Sequence, residues 1–161
     1  MWGLERIGAY KRSSQGNGVS VFVLDTGVRT TRQEFGGRAI STLDLTSGAL
    51  VECNGALGCA ADRDGHGTHC AGSAAGTTYG VAPGATVRGV KVLADYGGGQ
   101  FSWILAALDW MATSSIRPAV ASLSLGGSGA HQTIKDSVDA ATSAGVTVVT
   151  SAGNSNSDGC N

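Results

Sequence analysis

Short apolar runs alternate with amphipathic ones along this chain. Residues 19–24 read Val-Ser-Val-Phe-Val-Leu, almost continuously apolar and rich in β-branched side chains. Such a run predicts a strand covered on both faces. Residues 85–93, 118–125 and 146–151 repeat the pattern and predict three more strands, and 39–45 predicts a weaker one. Between these runs the apolar positions move to helical spacing. Phe101, Ile104, Leu105, Leu108 and Met111 make one such face, and Ile134, Val138 and Ala141 make another. Gly145 stands where the second of these helices needs a C-terminal glycine. Residues 66–75 are mostly small, which predicts a closely packed internal helix. Strands and helices in alternation build a parallel sheet with helices on both faces, so the fold class is α/β. No internal repeat, low-complexity tract or linker interrupts the pattern.

Composition narrows the function classes. Eleven Lys and Arg against twelve Asp and Glu give a net charge of −1 over 161 residues. Nucleic-acid modules and polybasic membrane binders need a cationic surplus, so neither is expected. No apolar run is long enough to span a bilayer. The chain does not open on the basic-then-apolar pattern of a secretory signal. There are 26 glycines, more than twice the usual share of about 7%, but they follow no period. Cys53, Cys59, Cys70 and Cys160 permit three pairings. The first two close a short loop and are able to pair. Cys70 lies among small residues and is expected to be a buried free thiol, while Cys160 is one residue from the end with no evident partner.

Sites in α/β sheets gather at the carboxyl ends of strands. The first strand runs into Asp25-Thr26-Gly27 and the last into Ser151-Ala152-Gly153-Asn154, while Asp64-Gly65-His66-Gly67-Thr68-His69 opens the small-residue helix. In a parallel sheet Asp25, His66 and Asn154 are able to converge on one edge. A carboxylate beside a histidine fixes the tautomer of the imidazole and stabilises the imidazolium that forms during acyl transfer. A side-chain amide donates to a developing oxyanion. Taken singly, each residue is as well explained by a turn or a cap. Their order and settings together are far more specific.

These segments resemble the subtilases, the subtilisin-like serine endopeptidases, and are most similar to the proteinase K group. The likeness covers nearly the whole chain. It is carried by Trp2-Gly-Leu-Glu-Arg-Ile7, Val23-Leu-Asp-Thr-Gly-Val28, Gly65-His-Gly-Thr-His-Cys-Ala-Gly72, Tyr79-Gly-Val-Ala-Pro83, Gly89-Val-Lys-Val-Leu93, Ser122-Leu-Ser-Leu-Gly-Gly127 and Ser151-Ala-Gly-Asn154. The resemblance implies that Asp25 is the triad acid, His66 the general base and Asn154 the oxyanion donor. It implies that Ser124, Leu125 and Gly126 form one substrate-pairing wall and Gly97, Gly98 and Gly99 the opposite one. A polypeptide substrate would lie between them as an added strand. Ala152 and Gly153 would form the other wall of the primary pocket, with broad preference for aromatic or aliphatic residues. Phe101 either covers a more distant apolar subsite or serves as helix core. His69, on the helix, is expected to be structural.

One part of the family pattern does not occur. The nucleophilic serine belongs to a Gly-Thr-Ser-Met-Ala-type motif, which the sequence does not contain. Ser122, Ser124 and Ser128 belong to the wall segment. The family spacing puts the nucleophile roughly sixty residues beyond Asn161. Residues 1–161 are therefore expected to be the N-terminal part of a single peptidase catalytic domain, truncated before its serine and inactive alone. The alternatives are a non-catalytic peptide-binding remnant and one half of a nicked enzyme. An aspartic protease is disfavoured because Asp-Thr-Gly occurs once, where that chemistry needs two carboxylates. A zinc site from Cys53, Cys59, His66, His69 and Cys70 lacks both the Cys-x-x-Cys and the His-Glu-x-x-His spacing. No cofactor is expected for the reaction. The resemblance implies structural calcium without placing it, and Asp62 and Asp64, the nearest acids, are expected to be solvated loop charges. It also implies secretion, and as partners a substrate polypeptide, the remaining C-terminal part of the domain or a pro-segment inhibitor, with no nucleic acid and no membrane.

Overall fold

The computed structural model describes residues 2–11, 13–127 and 131–158. Among these, strands β1 (Ser20–Asp25), β2 (Ala39–Asp44), β3 (Val51–Glu52), β4 (Thr86–Lys91), β5 (Ala119–Leu123) and β6 (Val146–Thr150) form one six-stranded sheet. Their order is β3-β2-β4-β1-β5-β6, parallel except for the β2–β3 pair. The helices are α1 (Trp2–Arg6), α2 (His66–Ala75), α3 (Phe101–Thr113) and α4 (Gln132–Ser143).

β1 is buried at every position and its side chains alternate between two cores. Phe22 and Leu24 face α3 and α4, packing with Val90, Val92, Leu108, Met111 and Val146. Val21 and Val23 face α2, packing with Phe35, Ala71, Ala75 and Val87. Full burial of each such side chain contributes about 1.5–3 kcal/mol. The small residues of α2 have a use here. Gly67, Ala71 and Ala75 recur every four residues and are buried, so the helix backbone lies close against the sheet. α3 turns Ile104, Ala107, Leu108 and Met111 inward, with Leu105 half-buried on its flank. At the end of α4, Gly145 takes a φ of 85°, the left-handed value that favours glycine.

The predicted strands and helices all form, including the weak candidate β2. Two of these strands and α-helices have no counterpart in the sequence reading, nor do two three-residue 3-10 helices, Ala9–Lys11 and Gln33–Phe35. α1 has five residues and β3 has two, both too short to show a period. Cys53 and Cys59 form a disulfide. Cys70 is free but half-buried rather than buried, because its sulfur lies 3.9 Å from Nδ1 of the half-exposed His66 one turn earlier in α2. Cys160 and Ser128 lie outside the described residues.

The chain runs from β1 to β2 and β4 on one side of the sheet, then crosses to β5 and β6 on the other. The point where direction reverses lies at the carboxyl ends of β4, β1 and β5. Open α/β sheets form their crevice there.

Candidate active site

β1 delivers Asp25 to that crevice with no exposed surface. Its carbonyl accepts the amides of Val92 at 2.9 Å and Leu93 at 3.1 Å, which locks the exit of β1 to that of β4. Its carboxylate accepts the Thr26 amide at 2.7 Å. Both carboxylate oxygens face Nδ1 of His66, at 2.8 and 3.0 Å. A carboxylate only accepts, so Nδ1 carries the proton and Nε2 is left with a free lone pair. The side chain of His66 is 51% exposed, so this lone pair is open to a reacting group. The hydrogen bond to Asp25 raises the pKa of His66 above the ordinary imidazole value. Partial burial opposes the shift, and the negative charges of Asp25, Asp64 and Asp62 reinforce it.

His66 is the first residue of α2, and two glycines make its approach possible. Gly65 enters the helix with φ 113°, a left-handed conformation. A Cβ on Gly67 would stand 2.2 Å from the carbonyl oxygen of Gly27 and 3.0 Å from Cβ of Asp25. Backbone thus meets backbone beside the carboxylate.

Asp62 is not a solvated loop charge. It is 3% exposed. One of its oxygens accepts from Thr26 Oγ1 at 2.8 Å, the Gly65 amide at 2.7 Å and the Asp64 amide at 3.2 Å. The other accepts from the Thr68 amide at 2.9 Å and from the Thr68 hydroxyl. Burial disfavours its charge, but bonds from Thr68, Gly65 and Thr26 outweigh burial and hold its pKa below the ordinary carboxylate value. The local sequence carries only part of the signal, a carboxylate four residues before a helix with Thr68 able to donate; the other threonine donor, Thr26, is 36 positions away. Lys91 is also buried, and its ammonium donates to the Thr26 carbonyl at 2.5 Å and pairs with Asp95 at 2.9 Å.

A cleft of about 480 Å³ opens in front of His66. Gly97, Gly98, Gly99, Gln100 and Phe101 from one segment and Ser124, Leu125, Gly126 and Gly127 from another line it, together with Thr26, Asp64 and Leu93. Both glycine-rich segments thus flank the imidazole. Phe101 lines this cleft and also a smaller one of about 300 Å³ with Ile104, Leu123 and Val138. Its ring lies 4.2 Å from that of His131. At the exit of β6, Ser151 is tied to β5, its amide donating to Leu123 at 3.0 Å and its hydroxyl to Leu125 at 3.2 Å. Ala152, Gly153 and Asn154 follow on an exposed loop and are not among the residues that line the cleft. His69 is exposed and lines a separate cavity with Arg29, Arg32 and Tyr79.

The zinc alternative loses Cys53 and Cys59 to their disulfide. Asp25, His66 and Cys70 form a group of metal-ligating types, with one atom of each within 4.8 Å of the others. Burial raises the pKa of the Cys70 thiol and the negative charge of Asp25 adds to this, while a hydrogen bond with Ser124 opposes it. Asp62 does not fit calcium, because both of its oxygens face donors; Asp64 is exposed and accepts the His66 amide at 3.0 Å.

Residues 16–161 match the family model described as the subtilase family. An extracellular serine proteinase of Thermus sp. (strain Rt41A) is 44% identical over 99% of this chain, which spans 38% of that protein. An alkaline serine exoprotease A of Vibrio alginolyticus is 40% identical over all of this chain, which spans 30% of that protein. The crystal structure of a cold-adapted subtilisin-like serine proteinase superposes with a TM-score of 0.84 at 39% identity, covering 94% of this chain and 52% of the other. The model for the family takes in all but the first fifteen residues, and with it the acid, the imidazole and both glycine-rich edges; the chain belongs to the subtilase family.

Proposed function

We propose that these residues form the N-terminal part of the catalytic domain of a secreted serine endopeptidase. The observation that carries this reading is the bond from His66 Nδ1 to the buried Asp25, set in a cleft between two peptide-pairing edges. A serine hydroxyl from later in the domain attacks the peptide carbonyl and passes its proton to Nε2 of His66. Asp25 stabilises the imidazolium, and Asn154 donates to the oxyanion. The imidazolium then protonates the leaving amine, and water repeats the cycle on the acyl-enzyme. Gly97 to Gly99 and Ser124 to Gly126 hold the substrate by main-chain bonds, with Phe101 beyond them and Ala152 and Gly153 completing the primary pocket. No cofactor takes part in these steps. An extracellular setting is supported by the similarity to the extracellular serine proteinase of Thermus sp. and by the disulfide.

The test compares the complete protein with chain 1–161 on casein and on a chromogenic peptide. The complete protein is expected to turn over, His66→Ala to abolish turnover, and chain 1–161 to show none. Turnover by chain 1–161 at the rate of the complete protein, abolished by His66→Ala, would overturn the assignment of the nucleophile to a later segment.

A further inference from the structure

We propose that Asp62 is a positioning residue for the Asp25–His66 pair, holding the exit of β1 and the start of α2 in one rigid unit. The inference rests on the catalytic reading of that pair.

Three observations carry it. The first is connectivity. The hydroxyl of Thr26 accepts the Gly67 amide at 3.0 Å and donates to Asp62 at 2.8 Å. Thr26 follows the acid and Gly67 follows the base, so one hydroxyl joins the two neighbouring peptides, and Asp62 fixes that hydroxyl. The second is saturation. Five donors converge on the carboxylate, from Thr26, Asp64, Gly65 and twice from Thr68. An amide oxygen offers two lone pairs, whereas the two oxygens of an ionised carboxylate offer about four, so the five donors fill its accepting capacity and two of them share a site. The third is need. His66 is half exposed, and its side chain touches the fold through Asp25 and the Cys70 sulfur, 3.9 Å from Nδ1. Half of the ring is open to solvent, so its aim depends on where Asp25 and its own backbone sit. A displacement of about 1 Å costs on the order of 10²-fold in rate.

The charge of Asp62 has a second consequence. The charged groups around His66 are Asp25 from β1, Asp64 and Asp62 from the preceding loop, Lys91 of β4 behind Thr26, and Arg29, whose guanidinium binds the Asp62 carbonyl at 3.0 Å. The Cys70 thiol completes the set from α2 itself. Removing one carboxylate from this set favours the neutral imidazole.

The experiment uses the complete protein, steady-state kinetics on a chromogenic peptide across pH, and the variants Asp62→Asn, Thr26→Val, Thr26→Ser and His66→Ala. Asp62→Asn is expected to lower kcat at least about tenfold, keep KM within about twofold and move the acid limb of the pH profile downward. Thr26→Val should lower kcat in the same way. Thr26→Ser, which keeps the hydroxyl, should recover most of the kcat that Thr26→Val loses. Asp62→Asn with Thr26→Val should cost less than the two losses multiplied, because both break one network. Where Asp62→Asn does not accumulate as folded protein, the Thr26→Val and Thr26→Ser pair decides. An unchanged kcat in Asp62→Asn or Thr26→Val, or a loss confined to KM, would overturn the inference. Full activity in His66→Ala would instead overturn the catalytic reading on which it rests.

Discussion

β1 and β6 look alike as sequence and differ as structure. Each is a short β-branched run followed by a polar turn, Asp25-Thr26-Gly27 in one case and Ala152-Gly153-Asn154 in the other. β1 lies between β4 and β5, and all its positions are buried. β6 lies at the edge of the sheet, with Val149 53% exposed. The exit of β1 is held by the Val92, Leu93, Lys91 and Asp62 bonds, whereas beyond Ser151 the exit of β6 is an exposed loop. The strand itself comes from its own residues. The accuracy of the turn after it comes from neighbours on both sides, and only β1 has both among the described residues.

The largest expected effect tests the β1 exit. Asp25→Asn in the complete protein should lower kcat by about 10⁴-fold, the size established for losing the acid of such a pair, a member of this family included. A loss below tenfold would show that the buried carboxylate only braces the turn. At the β6 exit, Asn154→Ala should lower kcat by about 10²–10³-fold with little change in KM. An unchanged kcat would remove Asn154 from the oxyanion role and leave its loop without one. Gly67→Ala should cost about 1–3 kcal/mol in a denaturant titration, because its Cβ would collide with the Gly27 carbonyl. Parent-like stability would mean that the contact yields more easily than its distances say. Hydrogen exchange offers a finer contrast. In chain 1–161 the amides of Thr26, Gly67 and Thr68 should exchange slowly and those of residues 152–158 quickly. Equal protection at both exits would remove the distinction drawn here.

The smallest effect concerns pH. In the proposed mechanism His66 must be neutral to accept a proton, and Asp25 raises its pKa. The acid limb of kcat/KM should therefore lie above the unperturbed histidine value of about 6.5. A limb below it would mean that burial outweighs the carboxylate. The same shift adds stability below the unfolded value and loses it as pH rises through the folded one. Half exposure keeps that contribution small.

Much of this was legible in the sequence because periodicity reports burial. The span of α2 was readable from small residues, and the Asp25–His66 meeting from where strands end. Asp62 was not. The run Asp62-Arg63-Asp64-Gly65 has the composition of a wet loop, and Arg63 is indeed exposed, pairing with Asp95 at 3.8 Å. Burial of the first acid depends on Thr26, 36 positions away, which no local pattern records. β3 and α1 were invisible for the simpler reason of length. Phe101 is not helix core: it is exposed and lines the cleft, because the first residue of α3 lies outside the face that Ile104, Leu108 and Met111 bury.

The crossing of Gly67 over Gly27 has an evolutionary side. A Cβ on Gly27 would stand 2.3 Å from the Ala60 carbonyl, so neither partner in the crossing has room for a side chain. Gly126, on the cleft wall, has nothing within 4 Å of its Cβ position and no positive φ to resist one. Descendants of this sequence can thus redraw the rim of the cleft one residue at a time. The spacing of acid and base offers no comparable intermediate steps, and a lineage keeps it whole or loses it.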